Sequence, residues 1–192
     1  MAARPGATES TRRRGCYDCL VTQLSEQPHS LELALRILEG TPAALRALAG
    51  PSDPARDAGG WGVHEITAHL LDVNGFVFGA RARLVVERDN PGIPPMNLDG
   101  RVEASGHLER ELTEVLEELA RARAVDVAWL RSLTPAALAR VGRHAEVGPI
   151  SASEFVHFWA HHDLVHLRQV GAALQSVLLP FIGAQAAFLE EV

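Results

Sequence analysis

Nine histidines stand in this chain of 192 residues. Two pairs of them share the HxxxH spacing, His157 with His161 and His162 with His166. Residues four apart on a helix lie on one face about a turn from each other, so either pair can offer two imidazoles to one metal ion. Spacing alone leaves both pairs open, and a helical wheel at about 100° per residue separates them. Phe155, Phe158, Trp159, Val165, Val170 and Ala173 gather on one arc, with His162 and His166 near its middle. His157 and His161 fall off that arc, beside Glu154 and Arg168. The second pair is therefore the one expected to face inward.

The same test selects His69, which shares an arc with Ile66, Val73, Phe76 and Ala80, while His64 points away. A single interior histidine is usually a hydrogen-bonded core residue. Three on facing helices are harder to satisfy one by one, because each buried ring carries polar nitrogens that need partners. A metal ion takes all three at once, and a set of three imidazoles leaves coordination positions open, as catalytic centres do. His69, His162 and His166 are thus the candidate ligands. His29, His64, His107, His144, His157 and His161 are read as surface or loop residues. Asp72 and Glu65 flank His69 at helical spacing and are candidates to orient an imidazole or carry a proton. Gln169 lies one turn beyond His166 on the interior arc. Asp163, about a quarter-turn from His162, is not expected to reach the site.

The elements that must position these residues are helices. Leu31, Ala34, Leu35, Leu38, Leu45 and Leu48 recur at helical spacing, with Thr41-Pro42 restarting or bending the first helix. Gly50 to Pro54 stops it, and a second helix is expected from about Val63 to Arg88, ended by Asn90-Pro91-Gly92. A third spans about His107 to Leu133, with Glu and Arg filling its polar side. Thr134-Pro135 caps a short turn. Residues 141–150 form an extended loop or hairpin, and Ser151 or Ser153 caps a fourth helix running to about Ser176. The apolar segment after Pro180 is expected to be helical, and no strand pattern is convincing. The reading is all-α: a four-helix up-and-down bundle with a crossover connection and a short extra C-terminal helix, over residues 29–192. Residues 1–28 read as a loose leader.

Composition fits a soluble globular domain, with 47% hydrophobic and 22% charged residues. A net charge of -6 argues against a general nucleic-acid surface, which needs a positive excess. All 18 basic residues are arginine, which reflects codon bias and carries no chemistry. No apolar run reaches membrane-spanning length and none follows Arg12–Arg14 as a signal peptide would, so a cytoplasmic protein is expected. Cys16 and Cys19 form a lone CxxC, without the second ligand pair of a zinc knuckle or the βαβ setting of a thioredoxin site.

At its histidines the sequence resembles the DinB-like superfamily, the YfiT-like metal-dependent proteins. The shared pattern reads W-G-V-H-E-I-T-A-H from Trp61 to His69 and H-D-L-V-H from His162 to His166. The loop R-H-A-E-V-G-P-I-S ahead of the last long helix also looks like the family's approach to that helix. The resemblance covers residues 31 to 178 and leaves the CxxC outside. It implies a four-helix bundle with an unusual crossover, a metal bound by the three histidines, often nickel or zinc, and a dimer. Its activities include S-transfer with low-molecular-weight thiols, mycothiol-dependent maleylpyruvate isomerisation and hydrolysis.

The expected function is therefore a metal-dependent enzyme of the thiol S-transferase or hydrolase type, acting on a small-molecule substrate. A divalent ion lowers the pKa of bound water or holds a thiol as thiolate. Arg81, Arg83, Arg101 and Arg143 are candidates to line a mouth for a thiol cofactor. The alternative is a non-catalytic, stress-associated scaffold stabilised by its metal. Interior polar residues beyond the ligands favour the enzyme, and a site sealed by Phe76, Phe158 and Trp159 favours the scaffold. Leu71, Phe78 and Val85, outward from the inward arc of the second helix, are expected to pack against the third helix or against another subunit, and a homodimer is expected.

Overall fold

The computed structural model describes residues 28–50, 55, 59–95 and 99–191. The leader's two cysteines lie outside the described residues. Helix α1 spans Pro28–Leu48 and keeps Pro42 inside it, with Thr41 Oγ1 donating to the Ile37 carbonyl at 2.8 Å one turn back. Helix α2, Val63–Val73, passes through a π-helical turn at Asn74–Gly79 into α3, Ala80–Glu87. Arg140 closes the end of α3, donating from Nε to the Val85 carbonyl and from a terminal nitrogen to that of Arg88.

A long connection follows, with strand β1 at Gly92–Ile93, the short helix α4 at Arg101–Ala104 and a 3-10 turn at His107–Glu109. Asn90, at φ 44°, starts it in the left-handed conformation that Asn tolerates better than most residues. Helix α5 covers Leu112–Arg131, and α6, Pro135–Leu138, is the expected short turn, with Thr134 Oγ1 accepting from the Ala137 amide. Strands β2, Val141–His144, and β3, Gly148–Ser151, form an antiparallel hairpin. β1 adds to β2 in parallel, pairing Gly92 with Arg143 and Ile93 with His144. The hairpin is one of the two forms expected for residues 141–150, whereas the third strand, β1, was not expected. Helix α7 spans Ala152–Leu178, started by Ser151 in a capping box with Glu154. Beyond it the chain turns through 3-10 segments, Leu179–Phe181 and Gly183–Glu191, with Phe181 and Phe188 largely exposed.

The bundle is a square whose neighbours differ from chain order. α1 packs on α5 and α7, and the α2–α3 rod packs on the same two from the other side. Both α1 to α2 and α5 to α7 therefore cross the diagonal. Arg131, the last residue of α5, pairs with Glu32 early in α1 and with Glu39 at its middle, so these helices are antiparallel. His157 meets Ser30, both early in their helices, so α7 runs with α1. Asn74 and Arg83 both reach Asp126, and His64 meets the turn before α5, so the rod runs parallel to α5. The long connection carrying β1 and α4 makes that parallel pairing possible. None of the helices among the described residues is long and apolar enough to cross a membrane.

The π turn changes which face of the second rod is inside. Each π turn holds about one residue more than an α turn, so everything after it is rotated. Phe76, expected inward, is half-exposed, whereas Phe78 and Val85, expected outward, are buried; Leu71, ahead of the π turn, is buried as well. They pack in the chain's own core, Leu71 and Phe78 in one cluster with the apolar stripe of α5, which is the first of the two packings expected for them. Gly79 closes the turn where a Cβ would stand 2.8 Å from the Asn74 carbonyl oxygen. On α7 the buried arc runs through Phe155, Val156, Trp159, Asp163, His166, Val170 and Ala173. It is rotated from the expected one, so Phe158 is 59% exposed.

Candidate metal centre

α2 and α7 run antiparallel side by side, which brings His69 against His162 and His166. The ligand nitrogens of the three all lie within 4.8 Å of one another. His162 Nε2 stands 3.3 Å from His69 Nε2 and 3.2 Å from His166 Nε2. Tetrahedral bonds of about 2.0–2.1 Å to a zinc-like ion separate nitrogen donors by about 3.3–3.4 Å. The donor set therefore fits a divalent ion. Without one, three Nε2 atoms meet where one shared proton satisfies only one pair. His162 Nδ1 is also buried with no hydrogen-bond partner. Trp61 covers the cluster, its ring 5.2 Å from that of His69 and 6.3 Å from that of His166. Phe78 packs on His162 with centroids 5.2 Å apart.

Burial, reinforced by the neighbouring imidazoles, pushes His69 down to about 4 and His162 down to about 3. Asp72 pulls His69 back up without reversing the shift. Both rings are thus neutral near pH 7, the state a metal ligand needs. The sign for stability follows from linkage. Below about pH 6.5 the unfolded chain takes up protons that the folded chain refuses, so the metal-free fold loses stability as pH falls. The loss starts near 6.5 and continues through 4 to about 3. We expect about 3 kcal/mol in all, discounted for the rings' exposed edges. Urea titrations of chelator-treated protein at pH 7.5 and 4.5 measure it, and equal midpoints would show that these imidazoles are not protected from protons.

The two candidate proton carriers are both engaged elsewhere. Glu65 Oε2 accepts the Gly62 amide at 2.9 Å and so caps α2. Asp72 takes both its oxygens to Arg101, at 2.7 Å each, in a fork that ties α4 to α2. Gln169 makes no bond to the ligands, and its Oε1 is buried without a partner. His64 bonds the His107 carbonyl, His157 is half-buried between Ser153 and Ser30, and His161 is exposed.

Of the four arginines considered for a mouth, Arg83 is taken by Asp126 at 2.7 Å and lies over the Trp129 ring at 4.0 Å. Arg101 is taken by Asp72. Arg143 lines a separate surface hollow with Asp89, Asn90 and Arg140. Arg81 alone of the four reaches the histidine site. It lines a cavity of about 280 Å³ whose wall includes His162, with Val73, Val77, Phe78, Pro95, Phe158, His144 and Glu146. The hairpin that supplies His144 and Glu146 had no strong signal in sequence.

Sequence reasoning also missed the polar core behind the ligands. Arg123 of α5 and Asp163 of α7 pair at 2.8 Å with exposures of 1% and 0%. Arg123 lies under the Trp159 ring, 4.7 Å from its centroid. Asn74 Nδ2 donates to Asp126 Oδ2 at 2.8 Å close by. The signal was available: Leu116, Leu119, Arg123, Val127 and Leu130 stand at helical spacing, which puts an arginine on the apolar stripe.

These observations define a crossed four-helix bundle with an imidazole triad between two of its helices. The family model for the DinB superfamily matches residues 21–170, beginning just after the CxxC, and the chain belongs to that superfamily. A protein of Oceanobacillus iheyensis named "Putative metal-dependent hydrolase OB0782" is 29% identical over 130 residues, covering 62% of this chain and 67% of that one. The solved structure of YfiT from Bacillus subtilis, titled "a probable metal-dependent hydrolase with an unusual four-helix bundle topology", shares the fold with a TM-score of 0.70 at 20% identity. The likeness covers 79% of this chain and 89% of that one.

Proposed function

We propose that the chain is a metal-dependent hydrolase acting on a small molecule, with His69, His162 and His166 as the ligands of a divalent ion. The observation that carries this is access: an open cavity reaches one of the three rings, His162, past a half-exposed Phe158, where a structural centre would be sealed. Buried polar groups beyond the ligands, Asn74, Arg123, Asp126 and Asp163, point the same way. A divalent ion with open positions supplies Lewis acidity and brings the pKa of water towards neutrality. The protein's own part is to hold the three rings, with Trp61 and Phe78 packed on them, and to admit substrate from one side. Asp72, fixed by Arg101, adds negative charge near His69. The relatives' names support hydrolysis over thiol transfer.

The test is hydrolysis of a panel of short-chain esters and amides by zinc- and nickel-loaded protein. Turnover should fall at least about 100-fold in chelator-treated protein, return with metal, and not return in His162→Ala. Absence of metal-dependent turnover across the panel counts against the hydrolase. A sulfur-to-metal charge-transfer band on adding small thiols to cobalt-loaded protein would move the reading to S-transfer.

A further inference from the structure

The cavity beside His162 has a chemical bias of its own. One wall is apolar, built from Val77, Phe78 and Phe158. Opposite in character is Arg81, half-buried, with one terminal nitrogen fixed on the Pro94 carbonyl at 2.6 Å. Its Nε is buried and bonds nothing, and the guanidinium has no carboxylate partner among the described residues. Burial lowers its pKa, yet a guanidinium keeps its charge in a protein. A partly desolvated guanidinium on a cavity wall, its charge unmatched by any carboxylate among the described residues, is a ready site for one.

His144 lines the same cavity from the end of β2. Its Nδ1 accepts the Glu146 amide at 3.3 Å, which leaves the ring proton of the neutral form on Nε2 as a second donor. Glu146 is exposed at the rim, so a dianion would meet unpaired repulsion where a monoanion meets one fixed cation. The volume, about 280 Å³, lies just below the range of pockets that hold drug-sized ligands.

We propose that this cavity is a substrate subsite for a carboxylate on a short apolar chain, with Arg81 as the carboxylate-binding residue and His144 as its second donor. Resting on the hydrolase reading, this makes the substrate class an ester or amide that carries a free carboxylate beyond its scissile bond. The chain lies against Val77, Phe78 and Phe158, and the carbonyl end faces His162.

Hexanoate and its neutral counterpart hexanamide are the probes, titrated by NMR into full-length protein, metal-free and zinc-loaded. Hexanoate should bind at least ten-fold more tightly than hexanamide in both forms, as a charge-assisted pair predicts. The Arg81 Nε–H signal should shift on binding. Arg81→Gln should bring the ratio to about one, and Arg81→Lys should keep part of it. Equal affinities for the two probes would overturn the subsite. So would a preference confined to zinc-loaded protein and unmoved by Arg81→Gln, since the carboxylate would then sit on the ion. The metal-free arm reads the subsite alone, so hexanoate binding without any metal-dependent turnover would sink the hydrolase and leave the subsite standing.

Discussion

Wild-type protein offered zinc or nickel retains about one ion per chain through desalting, and the double variant His162→Ala/His166→Ala retains none. That result is expected because the remaining ligand, His69, belongs to no other donor cluster among the described residues once both α7 rings are gone; every other histidine with a described position makes its bonds elsewhere or lies on the surface. Binding should also be visible as stability. An ion at about a thousand times its dissociation constant stabilises the folded state by about 4 kcal/mol, provided that it binds the unfolded chain weakly. For a domain of this size that is a rise in Tm of roughly 8–16 °C. The variant should show no metal-dependent rise while unfolding cooperatively, at a lower midpoint because truncating buried His166 leaves a cavity. Calorimetry with and without metal separates the two effects. A wild-type midpoint indifferent to zinc, nickel and cobalt would remove the metal centre from this fold.

The triad was legible because its signal is short-range and periodic. His162 and His166 differ by one turn of one helix, and no tertiary detail moves them apart. The N-caps were legible for the same reason: Thr134-Pro135 and Ser151 with Glu154 are local bonding patterns. The second rod was misread because the wheel assumes a constant period. One π turn at Asn74–Gly79 put Phe78 against His162 and turned Phe76 out to lie under Arg101, whose guanidinium stands 3.9 Å from its ring centre. The hairpin over residues 141–150 was legible only as an alternative to an extended loop, and its third strand was not legible at all, for a different reason. β2 and β3 are four residues each, too short for alternation to show, and they are held by β1, a distant partner that sequence does not announce. Arg81 could be named as a mouth residue, but nothing local tells it from Arg83. The difference is Asp126, four turns into another helix, which occupies Arg83 and leaves Arg81 for the cavity.

Breaking the Arg123–Asp163 pair from either side should cost about 3–5 kcal/mol, among the largest single-residue effects in the bundle. The pair joins helices on opposite corners of the square, so it crosses the middle of the core where water cannot follow. Burial drives Asp163 up and Arg123 down, and each partner restrains the shift of the other. Removing one leaves an uncompensated charge, but the two halves respond differently. In Arg123→Met, Asp163 can take a proton, so the cost should shrink below the pH at which it does so and grow above it. In Asp163→Leu, arginine cannot shed its charge, and the cost should hardly vary with pH. The double variant Arg123→Met/Asp163→Leu exchanges two buried charges for apolar volume and should recover most of the loss. Urea denaturation of the four proteins gives the coupling energy, and a value under about 1 kcal/mol would mean that the pair is solvated in solution. The position of the pair also links it to the triad. Asp163 follows His162 directly, on the face turned to α1 and α5, so the ion pair fixes the rotation of α7 that aims His162 and His166 at His69. A double variant that regains stability but binds zinc more weakly would show that this buried pair serves the geometry of the site more than the stability of the fold.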